Sequence, residues 1–294
     1  MREETVYLSG SLVPRSQARV SAFDHGFLYG YALFETMRAY NGRIFLLERH
    51  IRRLRDSAAT IGLTSCLAGI DLDKACNDTL KANNLRDARL RLTVSRGEAG
   101  PFPGSDTDAT PTVLVTTTSY RGLSDQKYCQ GFQVGISSFR RCHQSSLSRL
   151  KSANYLVSVL AKREMEVAGL DESLLLNGRD LIAEGSISNV FFVSQSNLVT
   201  PPLESGILPG ITRKVVLELA TVLKINTSEI NIQAADLTTF DEAFLTNSAM
   251  EIMPLVTVMD SSRKIVTIGS GKPGAVTQRL MTAYREMVTR ETQG

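Results

Sequence analysis

The succession of apolar and polar positions along the chain predicts short strands and amphipathic helices in irregular order. TVYLSGSLV (5–13) alternates around a Ser-Gly turn, and LFETMRAYNGRIFLL (33–47) is two apolar runs joined by Asn-Gly; both patterns predict hairpins. From Leu47 the spacing switches to steps of four and three. Leu47, Ile51, Leu54, Ala58 and Ile61 make one stripe, which predicts a helix stopped at Gly62. A second helix fits 71–83, and strands fit 88–97 and 112–120. The stretch EAGPFPGSDTDATP between those strands is a loop by its Gly, Pro and Asp content.

After RGLSDQ (121–126) a strand fits 131–139 and a helix fits 152–168, with Gly169 as its stop. Three or four strands follow over 173–200, then a helix at 211–223 with Val215, Val216, Leu219, Ala220 and Leu223 on one face. EAFLTNS and EIMPLVTVMD are strand-like, and a final helix covers 274–290. Helices and hairpins occur without a βαβ rhythm, so the expected class is α+β. A small N-terminal α+β domain (1–120), a linker (121–126) and a larger C-terminal α+β domain (127–294) are expected.

Composition narrows the choices. The chain is 43% hydrophobic and 21% charged, enough for a sizeable core in a globular protein. The net charge of +3 is dispersed except for RHIRRLR (49–55), with no basic tail and no interleaved aromatics, so no nucleic-acid partner is expected. Cys66, Cys76, Cys129 and Cys142 lack metal-ligand spacing, which predicts free thiols and no metal. No apolar run and no leader-like N-terminus points to a membrane, so a cytoplasmic protein is expected. GSGKPG (269–274) lacks the first glycine of a phosphate loop and has Pro273 where Ser or Thr is needed; it is expected to be a turn.

A few residues have chemical potential. Lys151, in RLKSANYL (149–156), is either a solvated lysine at a helix start or an amine for Schiff-base chemistry; spacing does not choose. Glu184 ends a strand in LIAEGSISNVFF, either solvated or as a buried carboxylate holding a proton on a ring nitrogen. ILPGITRKVV opens a helix whose free N–H groups and Thr212 hydroxyl suit a phosphate as well as an ordinary cap. TNSAMEI (246–252) offers a second such cluster, and Arg49, Arg52, Arg53 or Arg55 could bring a guanidinium fork to the same anion.

Seven blocks in order resemble the class IV aminotransferases, pyridoxal 5'-phosphate (PLP) enzymes of fold type IV. They are FDHGFLYG (23–30), LFETMRAYNG (33–42), HIRRLRDSA (50–58), RLKSANYL, EGSISNVFF (184–192), GILPGITR (206–213) and TNSAMEIMP (246–254). The resemblance implies a two-domain α+β fold with PLP carried on Lys151. It implies Glu184 at the pyridine nitrogen and Tyr155 on the phenolic oxygen. Arg53, Ile211, Thr212, Ser248 and Ala249 would hold the phosphate, and Leu208 would pack on one face of the ring. The substrate is expected to be a small primary amine met by Tyr29, Thr36 and Arg91 (Arg89 being the lesser choice), with Lys151 and Thr36 catalytic. A homodimer is also implied, with the active site near the subunit interface and the 100–107 loop a candidate for closing it.

Within the family, Phe34-Glu35-Thr36 resembles the bacterial aminodeoxychorismate lyases, which carry threonine where branched-chain aminotransferases usually have glycine. RGEAGPFPG (96–104) lacks the R-x-H loop of D-amino-acid aminotransferases. The expected reaction is therefore release of pyruvate and 4-aminobenzoate. The alternative is transfer of an amino group from branched-chain L-amino acids, D-amino acids or other primary amines to 2-oxoglutarate; LPGITR and EIMP also suit the branched-chain enzymes.

Overall fold

A computed structural model describes residues 3–100 and 109–293. The chain forms two compact units. The first runs to Arg121 and takes in Leu150–Asn154 and the segment from Val288; the second comprises Gly122–Arg149 and Tyr155–Met287. The loop expected at 100–107 lies, apart from Gly100, outside the described residues.

In the first unit, strands β1 (Thr5–Leu8) and β2 (Ser11–Pro14) form a hairpin with Val6 opposite Val13. A short helix α1 (His25–Tyr29) precedes β3 (Ala32–Tyr40) and β4 (Arg43–Ile44), paired around Asn-Gly. Helices α2 (Leu47–Thr60) and α3 (Leu72–Ala82) follow, then β5 (Ala88–Ser95) and β6 (Thr112–Ser119). The sheet order is β2-β1-β6-β5-β3-β4. Its core explains the register. Leu33, Met37 and Ala39 of β3, with Leu90, Leu92 and Val94 of β5, bury one face together with Ile51, Leu54 and Ala58 of α2. Each such large side chain contributes roughly 1.5–3 kcal/mol. Asp71 caps α3, accepting from the Lys74 N–H at 2.8 Å.

The second unit starts with α4 (Asp125–Gln130), which begins inside the stretch expected as linker because Ser124 caps it. It continues with β7 (Phe132–Arg141), α5 (Leu156–Val167), β8 (Glu172–Asn177), β9 (Ile182–Gly185), β10 (Asn189–Ser194) and β11 (Asn197–Thr200). Then come α6 (Ile211–Val222), β12 (Thr227–Glu229), β13 (Glu242–Asn247), β14 (Glu251–Met259), β15 (Ile265–Thr267) and α7 (Ala275–Thr292). The sheet order is β12-β11-β10-β13-β14-β7-β8-β9, with β15 on β14. Mixed helices and largely antiparallel sheets make this the expected α+β class. Glu242 caps α7, receiving the Val276 and Thr277 N–H groups at 3.0 and 2.8 Å. Gly269 and Gly271 have φ of 52° and 70°, so GSGKPG is a turn ahead of that helix.

Two expectations are corrected. The helix read over 152–168 begins only at Leu156. The backbone before it is committed elsewhere: Lys151 O accepts from the Phe34 N–H at 2.9 Å and the Ala153 N–H donates to Ala32 O at 2.8 Å, a short antiparallel bridge onto β3. For the same reason Lys151, expected in the C-terminal domain, groups with the first unit. The cysteines are all free. Among the described residues no helix is long and apolar enough to cross a membrane.

Candidate active site

In the first unit, strand alternation puts Phe34, Thr36 and Arg38 on the face of β3 away from the two helices. Thr36 lies directly opposite Arg91 of β5. The Arg91 guanidinium carbon stands 3.8 Å from the centre of the Phe34 ring, and Nε donates to Thr93 Oγ1 at 3.2 Å. Lys151 Nζ stands 4.4 Å from the centre of the same ring. A half-buried lysine and an arginine are therefore grouped around one aromatic side chain. Arg89, the alternative to Arg91, is exposed.

The opposite face of β3 carries Glu35, which is buried among apolar side chains. Its Oε1 accepts from Arg53 Nε at 2.8 Å, its Oε2 accepts from Arg53 Nη2 at 2.6 Å, and His50 Nδ1 is 2.7 Å from Oε2. Burial opposes the charge on Glu35, but Arg53 and His50 more than offset it and hold the carboxyl at about 2. Burial lowers the His50 pKa, opposed by Glu35 and reinforced by the charges of Arg53 and Lys151. Of the four candidate arginines, Arg52 and Arg55 are exposed and Arg49 is half-buried; Arg53 is the one fixed by a buried carboxylate.

In the second unit, Glu184 is buried on β9. Its Oε1 pairs with Arg141 Nη2 at 2.8 Å, and its Oε2 accepts from the Leu208 N–H at 2.9 Å and from Asn189 Nδ2 at 3.3 Å. Arg141 is held in turn by Ser148 O at 2.7 Å and Gly206 O at 3.3 Å. Asn189 Nδ2 also donates to Leu208 O at 2.9 Å, so the half-buried Leu208 is tied to Glu184 through both backbone groups. Burial, then Glu184 and Glu172, push the Tyr155 phenol up to about 12.

Helix α6 starts beside this carboxylate. Gly210 caps it without a side chain, and Ile211 and Thr212 are buried. A Cβ on Gly210 would stand 2.0 Å from Asn189 Oδ1, so glycine is required there by close approach. Ser248 and Ala249 occupy the β13–β14 turn, where Asn247 Oδ1 accepts from the Ala249 and Met250 N–H groups at 2.9 and 2.8 Å. Thr246, at the end of β13, pairs with Asn189, so this turn and the start of α6 share the same end of the sheet. Tyr29, expected to meet substrate, is 50% exposed on α1 and packs edge-on to His25 at 5.0 Å.

Sequence reasoning gave no role to Glu35, His50, Phe34, Arg141 or Asn189. A signal existed for Glu35: it shares strand parity with Leu33 and Met37, so a carboxylate was due to be buried, and the next helix offered its partners. Nothing in local spacing marks Arg141, whose role depends on the fold bringing β7 and β9 across β8.

Fold and site define a class of enzyme, and comparison with known proteins names it. The family model for amino-transferase class IV matches residues 32–258. The chain is 36% identical over 286 residues to a putative branched-chain-amino-acid aminotransferase of Methanocaldococcus jannaschii, covering 97% of this chain and 96% of that one. It is 34% identical over 287 residues to the aminodeoxychorismate lyase of Bacillus subtilis, covering 96% and 94%. Among solved structures, the branched-chain amino acid aminotransferase of Escherichia coli superposes with a TM-score of 0.89 at 28% identity, covering 99% and 97%. A further branched-chain amino acid aminotransferase, solved with pyridoxamine 5'-phosphate, superposes with a TM-score of 0.88 at 28% identity, covering 100% and 96%. The chain belongs to the class IV aminotransferase family and is a PLP-dependent enzyme.

Proposed function

We propose that this enzyme is a 4-amino-4-deoxychorismate lyase, which removes a proton from the amine-bearing carbon and releases pyruvate and 4-aminobenzoate. The observation that carries this reading is the place of Thr36, opposite Arg91 and on the strand face of Phe34, whose ring both Arg91 and Lys151 approach. Glycine at position 36 would leave space for a branched side chain; threonine fills that space and adds a group that can hold or pass a proton.

The residues present fit PLP. Lys151 would carry it, Glu184 would meet the ring nitrogen as a carboxylate already oriented by Arg141 and the Leu208 N–H, and Tyr155 would donate to the phenolic oxygen. Arg53, the uncapped N–H groups at Ile211 and Thr212, and the turn at Ser248 and Ala249 would hold the phosphate, with Leu208 on one ring face. Bound PLP supplies the electron sink. Lys151 then serves as the base, Arg91 holds a substrate carboxylate, and Thr36 manages a proton near the departing group. Val20, Phe23, Phe27, Leu28 and Tyr29 are 49%, 72%, 77%, 48% and 50% exposed within ten residues, which supports a homodimer. The expected location is the cytoplasm.

A branched-chain aminotransferase is the second reading, favoured by the 36% identity to the M. jannaschii protein. Purified enzyme should form 4-aminobenzoate from aminodeoxychorismate faster than it transaminates leucine with 2-oxoglutarate. Rapid leucine turnover with no aminobenzoate would replace the first reading by the second. Loss of both activities in K151A, together with loss of the cofactor mass retained after borohydride, is expected under either.

A further inference from the structure

Glu172 opens β8 and is 1% exposed. Its Oε1 accepts from the Ser173 N–H at 2.8 Å and from the Ser186 hydroxyl. Among the described residues no lysine, arginine or histidine pairs with it. The cation in reach is Lys162 of α5, whose ammonium is taken by Asp171 O and lies 3.5 Å from Glu166 Oε1. A carboxyl removed from water without an ion pair favours its neutral form, and burial does push Glu172 up, with Ser186 as the chief opposing influence.

The position matters because of what Ser186 belongs to. Glu184 and Ser186 flank Gly185, whose N–H donates to Ser188 O at 2.7 Å, and the Ser186 N–H donates to Ser173 O at 3.3 Å. The turn is thus fastened on both sides, by Arg141 at Glu184 and by Glu172 at Ser186. Glu184 and Glu172 both act on the Tyr155 phenol, and only Glu184 has a cation partner, Arg141.

We infer that Glu172 is a positioning residue: through the Ser186 hydroxyl it fixes the turn that aims Glu184. It touches no reacting atom. The inference rests on the proposal that Glu184 and Tyr155 hold PLP, and it adds a residue outside that set.

The test is titration of apo-protein with PLP, followed by its visible absorbance from pH 6 to 9, for wild type, E172Q, E172A, S186A and the E172A/S186A double variant. Losing one partner of a buried hydrogen bond predicts about tenfold weaker binding for E172A and S186A. The double variant should be no weaker than either single one, since both break one link. E172Q keeps the shape and an oxygen that accepts from the Ser186 hydroxyl, so its affinity and the midpoint of its absorbance change should match wild type. Wild-type affinity in S186A, or an E172Q as weak as E172A, would overturn the inference while wild type still binds PLP. Failure of wild type itself to bind would overturn the cofactor reading and this inference with it. S186A and E172Q are mild changes, so the test stands even if E172A does not fold.

Discussion

Glu35 grips Arg53 in a two-point fork, Nε to Oε1 at 2.8 Å and Nη2 to Oε2 at 2.6 Å, with His50 closing on Oε2 from the same helix. A carboxylate buried among Leu33, Met37 and the apolar stripe of α2 is tolerated only because that fork is complete. The pairing fixes the guanidinium plane of Arg53.

Glu35 therefore makes stability depend on pH. Its pKa is about 2 in the fold against 4.5 ordinarily, so its contribution is present above 4.5 and is lost as pH falls through 4.5 toward 2. A shift of this size corresponds to on the order of 3 kcal/mol. Thermal unfolding of wild type and E35Q between pH 7 and 3 should converge as pH falls. A constant gap between the two curves would remove the fork as the cause.

Arg141 neutralises Glu184 and is itself held by two carbonyls. R141M leaves Glu184 buried without its cation, which costs roughly 3–5 kcal/mol when one partner of a buried pair is removed. The variant should melt lower and bind PLP more weakly than wild type. Adding E184Q should restore much of the melting temperature, because the uncompensated charge is gone, but not the activity. A double variant no more stable than R141M would refute the pairing as the source.

Tyr155 is expected to stay a hydrogen-bond donor across the working range, because burial and the two carboxylates push its phenol up to about 12. Ultraviolet titration of wild type against Y155F should show no tyrosinate from this residue below about pH 11. If Y155F loses a tyrosinate signal that wild type develops near pH 10, the environment assigned to Tyr155 is wrong.

The legible and illegible parts of the chain differ in range. Hairpins and helix stripes were legible because their signals are local: Val6 opposite Val13, and Ile51, Leu54 and Ala58 on one buried face. The start of α5 was not. The apolar spacing ran back to residue 152, but the Lys151 segment bonds to β3, over a hundred residues earlier, and a long-range bridge overrode the local pattern. The candidate site residues were legible only as a set of ordered blocks resembling a family. The side chains that orient them, Glu35 and Arg141, belong to strands whose partners are set by tertiary pairing.

Thr36 separates the two proposed reactions. It is half-buried in the middle of β3, and β5 places Arg91 directly across from it. Replacing it by glycine removes the whole side chain, hydroxyl included, without touching the Glu35 fork, which points to the other face. Glycine in a strand interior costs on the order of 1 kcal/mol, so T36G should fold. Serine keeps the hydroxyl and loses only the methyl. If the hydroxyl manages a proton, T36G should lose about 10²–10⁴-fold in 4-aminobenzoate formation and T36S far less, as expected for loss of a general acid or base. The space opened by T36G should leave leucine transamination unchanged or faster, since a branched side chain gains room. Measuring kcat and KM for both reactions in both variants separates the two effects, because lost proton transfer lowers kcat and gained room lowers KM. Equal losses in T36S and T36G would mean that the methyl group, and so packing on the sheet face beside Phe34, is what position 36 supplies.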